Sequence, residues 1–298
     1  MILPLCISFL GAICVGTSDF LSRLVSKNHS PLYTVLWCTG MGTVLFGGLL
    51  SLKGYDFTTE PLWIWEITFY AGMFHLAGLL SFYHALMRGP LKIASPLCSL
   101  SVLILAIEWH FLGLHLSLQA YSGIGLVMIG IWILAYFSKT QQQDYTPRHI
   151  LITAAYALFA ACCFATRFLL LQYYREDIEI MVGLFQSRTF AFIGALLIIG
   201  GLIVKDRLFS QKQRTHAPFN MMQNITLPFV QSFLENTGIA LVLWISIGDY
   251  RVIGPAIFGC YSLVTLFWGR VFFKESLSKE ILTGISVMLI GLVVMQLA

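Results

Sequence analysis

The segment Leu116 to Gly130 (LSLQAYSGIGLVMIG) returns near the end of the chain as Leu277 to Gly291 (LSKEILTGISVMLIG), with six of fifteen positions identical. The identities fall on residues that set geometry: Leu-Ser at the start, then Gly-Ile, then Ile-Gly. Each copy is a polar opening followed by an uncharged apolar run with glycines on one face, the pattern of a membrane helix packed closely on a neighbour. Half a chain separates the copies. A duplicated protein in lipid is the economical explanation.

Composition agrees. Of 298 residues, 58% are hydrophobic and only 11% charged, more apolar matter than a water-facing surface tolerates. The formal net charge is +4, and the basic residues lie between apolar runs rather than in a patch interleaved with aromatics, so no nucleic acid partner is expected. The expected partners are the lipid bilayer and a small-molecule substrate; monomer and dimer stay open. All seven cysteines (Cys6, Cys14, Cys38, Cys98, Cys162, Cys163, Cys260) fall inside apolar runs, without zinc or disulfide-framework spacing, and read as small buried apolar residues. The opening MILPLCISFLGAICVG lacks a basic leader and an A-x-A site, so it reads as a first span rather than a cleaved signal.

A hydrocarbon core about 30 Å thick takes roughly 17 to 25 helical residues per crossing. Ten runs qualify: 3–23, 33–52, 63–87, 93–113, 119–138, 149–172, 178–204, 222–247, 252–273 and 280–297. Lys205 to Phe219 reads as a solvated loop, and Ser138 to Arg148 divides the chain into five spans per half. An odd number per half turns the second repeat over. The expected fold is therefore an all-α integral membrane protein of ten transmembrane helices, built as two inverted five-helix repeats, residues 1–142 and 143–298. Ile93-Ala94-Ser95-Pro96 and Val252-Ile253-Gly254-Pro255 open the fourth and ninth spans alike, with proline expected in the first turn.

Three strings carry a family resemblance. Gly16-Thr17-Ser18-Asp19-Phe20 is similar to the "W-G-S-N/D-F" segment of the EamA-type transporters of the drug/metabolite transporter superfamily, with Val15 where that family usually has Trp. Phe272 to Ser278, followed by Gly284 and Gly291, resembles the family's "lflgE-x-lt … G … G" ending. Phe111 to Ser117 keeps the same frame but has Leu114 in place of the Glu. The resemblance implies a carrier in the cell membrane, working by alternating access and usually as an exporter, for substrates from amino acids to amphiphilic drugs. It implies no cofactor.

Connections one, three, five, seven and nine hold twelve basic residues, against only Lys53, Arg175 and Arg251 in the even ones. By the positive-inside rule the odd connections are cytoplasmic and both termini lie outside. The family is generally drawn the other way round. Charge gives the expectation that Lys205 to Phe219 faces the cytoplasm and Ala298 does not.

Ionisable groups within hydrocarbon are costly and ask for a reason. The candidates are Asp19, His75, His84, Glu108, Arg167, Arg188, Glu235 and Arg270. Aligning the halves places Asp19-Phe20 on Arg167-Phe168, at equal depths on opposite sides of the midplane, where the two cannot meet directly. Glu108 and Arg270 read as structural. His75 and Glu235 sit near the middle of the counterpart third and eighth spans, so they are the pair most able to approach each other. The expected substrate-binding or proton-coupling residues are Glu235, His75, Arg188, Asp19, Arg167 and Tyr83. Glu235 would bind a proton or a cation, His75 would orient or share it, and Arg188 would contact an anion. Tyr83 and His84 are candidates for a cavity mouth. Trp63, Trp65, Trp132, Tyr136, Tyr173 and Tyr174 suit an interfacial belt.

Other classes lack their motifs. Tyr55-Asp56 lies in a connection and Ile247-Gly248-Asp249 lacks the first glycine of an intramembrane aspartyl protease; no Gly-x-Ser-Gly, P-loop, His-Glu-x-x-His or dinucleotide fingerprint occurs. An intramembrane enzyme and a non-transporting receptor or assembly subunit are the alternatives.

Overall fold

The computed structural model describes residues 2–26, 29–56, 60–89, 91–113, 117–137, 146–209, 225–246, 250–273 and 279–296. Among them the regular structure is entirely helical: α1 (Ile2–Ser26), α2 (Pro31–Leu52), α3 (Leu62–Arg88), α4 (Leu91–Cys98), α5 (Ser101–Phe111), α6 (Leu118–Phe137), α7 (Pro147–Tyr173), α8 (Ile180–Phe209), α9 (Leu227–Ile245), α10 (Tyr250–Phe258), α11 (Tyr261–Phe273) and α12 (Lys279–Gln296). Two starts show the local logic. Ser30 and Thr146 sit just before Pro31 and Pro147, and their hydroxyls accept from Tyr33 N and His149 N, satisfying backbone donors that a helix start leaves open. At the far end of α5, Gly113 takes φ 88°, a left-handed turn that a side chain would strain.

Among the described residues, six stretches, in α1, α2, α4–α5, α7, α8 and α10–α11, are long and apolar enough to cross a membrane. The distribution of polarity is that of a protein in lipid: Arg167 is 1% exposed and Arg188 0%, while Leu197 is 72% and Leu118 86% exposed. Water outside would reverse that order.

The helices pair across the halves. α6 lies on α12, α3 on α7, α1 on α9 and α2 on α8, and α1 also packs on α10 and α11 as α7 does on α4 and α5. Exchanging α1 with α7, α2 with α8, α3 with α9, α4–α5 with α10–α11 and α6 with α12 leaves this set of pairings unchanged. The α6–α12 contact repeats the exchange in detail. A Cβ on Gly130 would meet Gly284 O at 2.7 Å and Met288 N at 2.8 Å; one on Gly291 would meet Gly123 O and Val127 N, each at 2.7 Å. As numbering rises along α6 it falls along α12, so the two run antiparallel. Only glycine lets these backbones touch.

Three expectations need correction. Pro96 and Pro255 are not in a first turn but inside α4 and α10, and each run breaks just after, at Ser99–Leu100 and Gly259–Cys260. Proline removes one ladder bond and crowds the turn before it, and the breaks are closed by tight bonds, Leu100 N to Leu97 O at 3.2 Å and Cys260 N to Ile257 O at 3.1 Å. The region from Lys205 to Phe209 is helical, the last part of α8, and the remainder of the expected loop lies outside the described residues. Cys6 and Cys162 are exposed, since helix rotation, which composition does not encode, turns them outward; Cys38, Cys98, Cys163 and Cys260 are buried.

Candidate functional site

α1 is held on two sides. Gly11 and Gly238 let α1 and α9 approach until a Cβ on either would meet the other's carbonyl oxygen, at 3.0 and 2.8 Å. On the α11 side, Thr265 Oγ1 donates to Gly16 O at 3.1 Å and the Trp268 indole N–H to Thr17 Oγ1 at 2.9 Å. So fixed, α1 turns Asp19 inward, 2% exposed. α9 carries its polar residues one turn apart, Gln231 with Glu235 and Ser232 with Asn236, so they share one face. Gln231 Nε2 donates to Ser18 Oγ at 3.2 Å and to the Tyr83 hydroxyl at 3.0 Å; Asn236 Nδ2 donates to Cys38 O at 2.9 Å and Ser232 O at 2.8 Å. These bonds fix the helix that brings Glu235 beside Ser18.

The second pair of helices brings the opposite charge. α3 contributes His75 and Tyr83, each 1% exposed, and α7 contributes Arg167. The Phe164 ring fills the space left by Gly78 and lies 6.1 Å from the His75 ring, and Arg167 has its guanidinium carbon 5.8 Å from the Phe168 ring centroid.

Between the two pairs lies a cavity lined by Asp19, His75, Tyr83, Arg167 and Glu235 together with Ser101, Tyr261 and apolar side chains that include Leu79, Phe164, Phe168, Ile239 and Phe258. Five of the six expected site residues therefore share one space. Arg188 does not line it. It stands behind, with its Cγ where a Cβ on Gly42 would have to go, and its charge reaches His75, Glu235 and Arg167.

The neighbour relations differ from expectation in one way. The charges acting on His75 are those of Arg188 and Arg167, whereas Glu235 has Asp19, Arg188 and Arg167 around it; the expected His75–Glu235 pair is a shared cavity rather than a contact. Asp19 and Arg167, expected not to meet directly, line the same cavity, because the α1–α9 and α3–α7 pairs converge there. They form no ion pair within 4.0 Å, and Asp19 Oδ2, Arg167 Nε and Nη2 and both His75 nitrogens lack hydrogen-bond partners.

The other candidates lie elsewhere. Glu108 accepts from Thr166 Oγ1 at 2.7 Å, joining α5 to α7. His84 Nδ1 is 2.7 Å from Leu80 O, and its ring stacks on Tyr156 instead of facing the cavity. Among the described residues, no cluster of His, Cys, Asp and Glu is placed to hold a metal ion. The sequence reading missed Ser101, Phe258 and Tyr261, which reach the cavity from the two helix breaks. Their signal was the paired Pro96 and Pro255 within apolar runs: discontinuous helices are a usual way of bringing side chains and backbone to a midplane site.

The sequence pattern of the EamA-like transporter family matches residues 2–136. Residues 2–136 thus have the pattern of the EamA-like transporters, a family of the drug/metabolite transporter superfamily. A solved structure described only as "Crystal structure of protein" is similar at a TM-score of 0.71 and 16% identity, over 99% of this chain and 96% of that one. At that identity the likeness speaks for the fold alone. No curated protein matches.

Proposed function

We propose that the chain is a secondary carrier of the cell membrane that crosses it ten times, as two inverted five-helix repeats, and moves a small polar or amphiphilic metabolite outward by alternating access. The observation that carries this reading is the convergence of Asp19, His75, Tyr83, Arg167 and Glu235, from α1, α3, α7 and α9, on one enclosed cavity. Helix pairings that survive exchange of the halves, and the antiparallel α6–α12 contact, support a carrier whose two halves can rock against each other around a fixed site. Buried ionisable side chains at such a place suit cargo binding or proton coupling. In this reading Glu235 takes the proton or a cationic group, with Asp19 beside it to share the load.

The test is flux. The purified chain in liposomes, preloaded with candidate metabolites, is expected to show saturable exchange that responds to an imposed pH gradient. Glu235→Gln keeps the size and removes the charge, so it should abolish the pH response and leave folding nearly intact; His75→Gln should weaken it less. Wild-type flux with an unchanged pH profile in Glu235→Gln would make Glu235 structural. Unsaturable leakage through a continuous pore would replace the carrier by a channel.

A further inference from the structure

The surface that faces lipid is not even. Between α2, α8 and α9 it opens into a groove, almost wholly apolar, lined by Leu36, Trp37, Gly40 and Val44 of α2 with Leu196 of α8 and Phe229 of α9. Its rim looks outward, with Val44 71% exposed and Leu196 and Phe229 each 46%. At Gly40 the helix carries no side chain, and the Phe192 ring of α8 packs 3.0 Å from where a Cβ would stand. The exchange of halves carries this groove onto the seam of α8, α2 and α3, where the protein closes on itself: Phe190 packs edge-on against Trp65 and Phe69, with ring centroids 6.1 and 5.3 Å apart. The fold does not require the opening.

The polar end of the groove follows from the helix directions. Gly40 meets Phe192 and Gly47 meets Phe185, so numbering rises along α2 as it falls along α8, and the two run antiparallel. The start of α2 and the end of α8 therefore share one membrane face. From Pro31 to Gly40 is about 14 Å of helix, close to half of a hydrocarbon core about 30 Å thick, which is the depth of one leaflet. Rings join that face to the groove: His29 stacks on Tyr33 at 4.3 Å, and Tyr33 stands edge-on to the lining Trp37 at 6.5 Å. His29 Nε2 is buried with no hydrogen-bond partner among the described residues. The same face is basic in sequence, with Lys27 in the first connection, Lys205 and Arg207 in the last turns of α8, and Lys212 and Arg214 beyond it, against Asp206 alone.

We infer that the groove holds one phospholipid with an anionic headgroup: an acyl chain lies over Gly40 between α2 and α8, Trp37 and Tyr33 flank it towards the surface, and the phosphate accepts from His29 Nε2 beside the basic end. The groove, about 430 Å³, is open to the bilayer along its length, so a chain enters it sideways without crossing any polar barrier. A lipid without net charge would fill the apolar part equally and leave the cationic end uncompensated. A second copy of this chain is a poorer occupant. Copies related by a two-fold axis in one bilayer share their orientation, so pairing across this face would set both basic ends at one level, like charge beside like. The groove shares no lining residue with the central cavity, so the inference stands independently of the carrier reading.

Native mass spectrometry tests this on the full chain, delipidated in detergent and offered phosphatidylglycerol or phosphatidylcholine with the same acyl chains. One phosphatidylglycerol is expected to bind about tenfold more tightly than phosphatidylcholine, the effect of two basic residues beside the headgroup. Val44→Trp fills the groove from the α2 rim and Leu196→Trp from the α8 rim, so each should remove the preferred adduct; two variants on different helices keep the test sound if one fails to fold. Ile129→Trp, exposed on α6 away from the groove, should retain it. His29→Ala leaves the groove open and should bring phosphatidylglycerol down towards the level of phosphatidylcholine. Equal binding of the two lipids by the wild-type chain, or adducts that neither groove variant reduces, overturns the inference. So does a doubled mass that both groove variants dissociate, which would make the groove the seat of a second copy.

Discussion

Gly130 on α6 and Gly291 on α12 make the same contact in opposite directions, each placing its bare backbone against the carbonyl or amide of the other helix. The equivalence has an energetic consequence. Gly130→Val and Gly291→Val should each destabilise the protein, by about 1–3 kcal/mol for a backbone contact forced open, and by similar amounts. Gly125, with nothing within 4 Å of a built Cβ, should accept alanine at no cost. Thermal unfolding in detergent measures all three; a large difference between the first two would break the equivalence.

The Trp268 indole N–H, donated to Thr17 Oγ1 at 2.9 Å, locks α11 to α1. Thr17→Val keeps the shape and leaves that donor unpaired, so it should lower stability by about 1–3 kcal/mol. Thr283, exposed and bonded only within its own helix to Lys279 O at 3.0 Å, is the control, and Thr283→Val should be close to neutral. Equal effects of the two would show that the indole bond contributes nothing particular.

Glu60 lies in the connection between α2 and α3 and accepts from the Tyr55 hydroxyl. Reduced contact with water, and then the nearby Glu179 charge, push its pKa up. The folded protein thus keeps the Glu60 proton at a pH where the unfolded chain has released it. Stability should fall as pH rises from the ordinary glutamate range through the raised folded value, and return on acidification. In Glu60→Gln the thermal midpoint should lose that part of its slope; an unchanged slope refutes the assignment.

Pro96 and Pro255 precede the breaks that bring Ser101, Phe258 and Tyr261 to the cavity. Pro96→Ala and Pro255→Ala let each run approach a continuous helix, so flux should drop while stability holds or rises, by up to about 3 kcal/mol for proline removed from a helix interior. Variants with full flux would show that the tight turns alone set the breaks.

Orientation is testable with reporters. The basic residues crowd the odd connections, so a reporter active only outside the cytoplasm should be on when fused after Ala298. If instead a cytoplasmic reporter is active there, the topology drawn for the family holds and charge is a poor guide in this chain.

The sequence alone determined that the chain lives in lipid, that it is helical there, that its tail is repeated, and which polar residues are out of place in hydrocarbon. These are local properties: hydropathy over one span, proline and glycine positions, a string that recurs. Tertiary structure decided which of those residues share a space. Asp19 stands near Glu235 because α1 packs on α9 rather than on its own half, and Arg167 comes to the same cavity because α7 packs on α3. Arg188, as conspicuous in the sequence as Arg167, is turned behind the lining, and His84 faces Tyr156. Whether a helical residue faces cavity, partner or lipid depends on the rotation of its helix, which is fixed by contacts between segments far apart in the chain, and no single span records them.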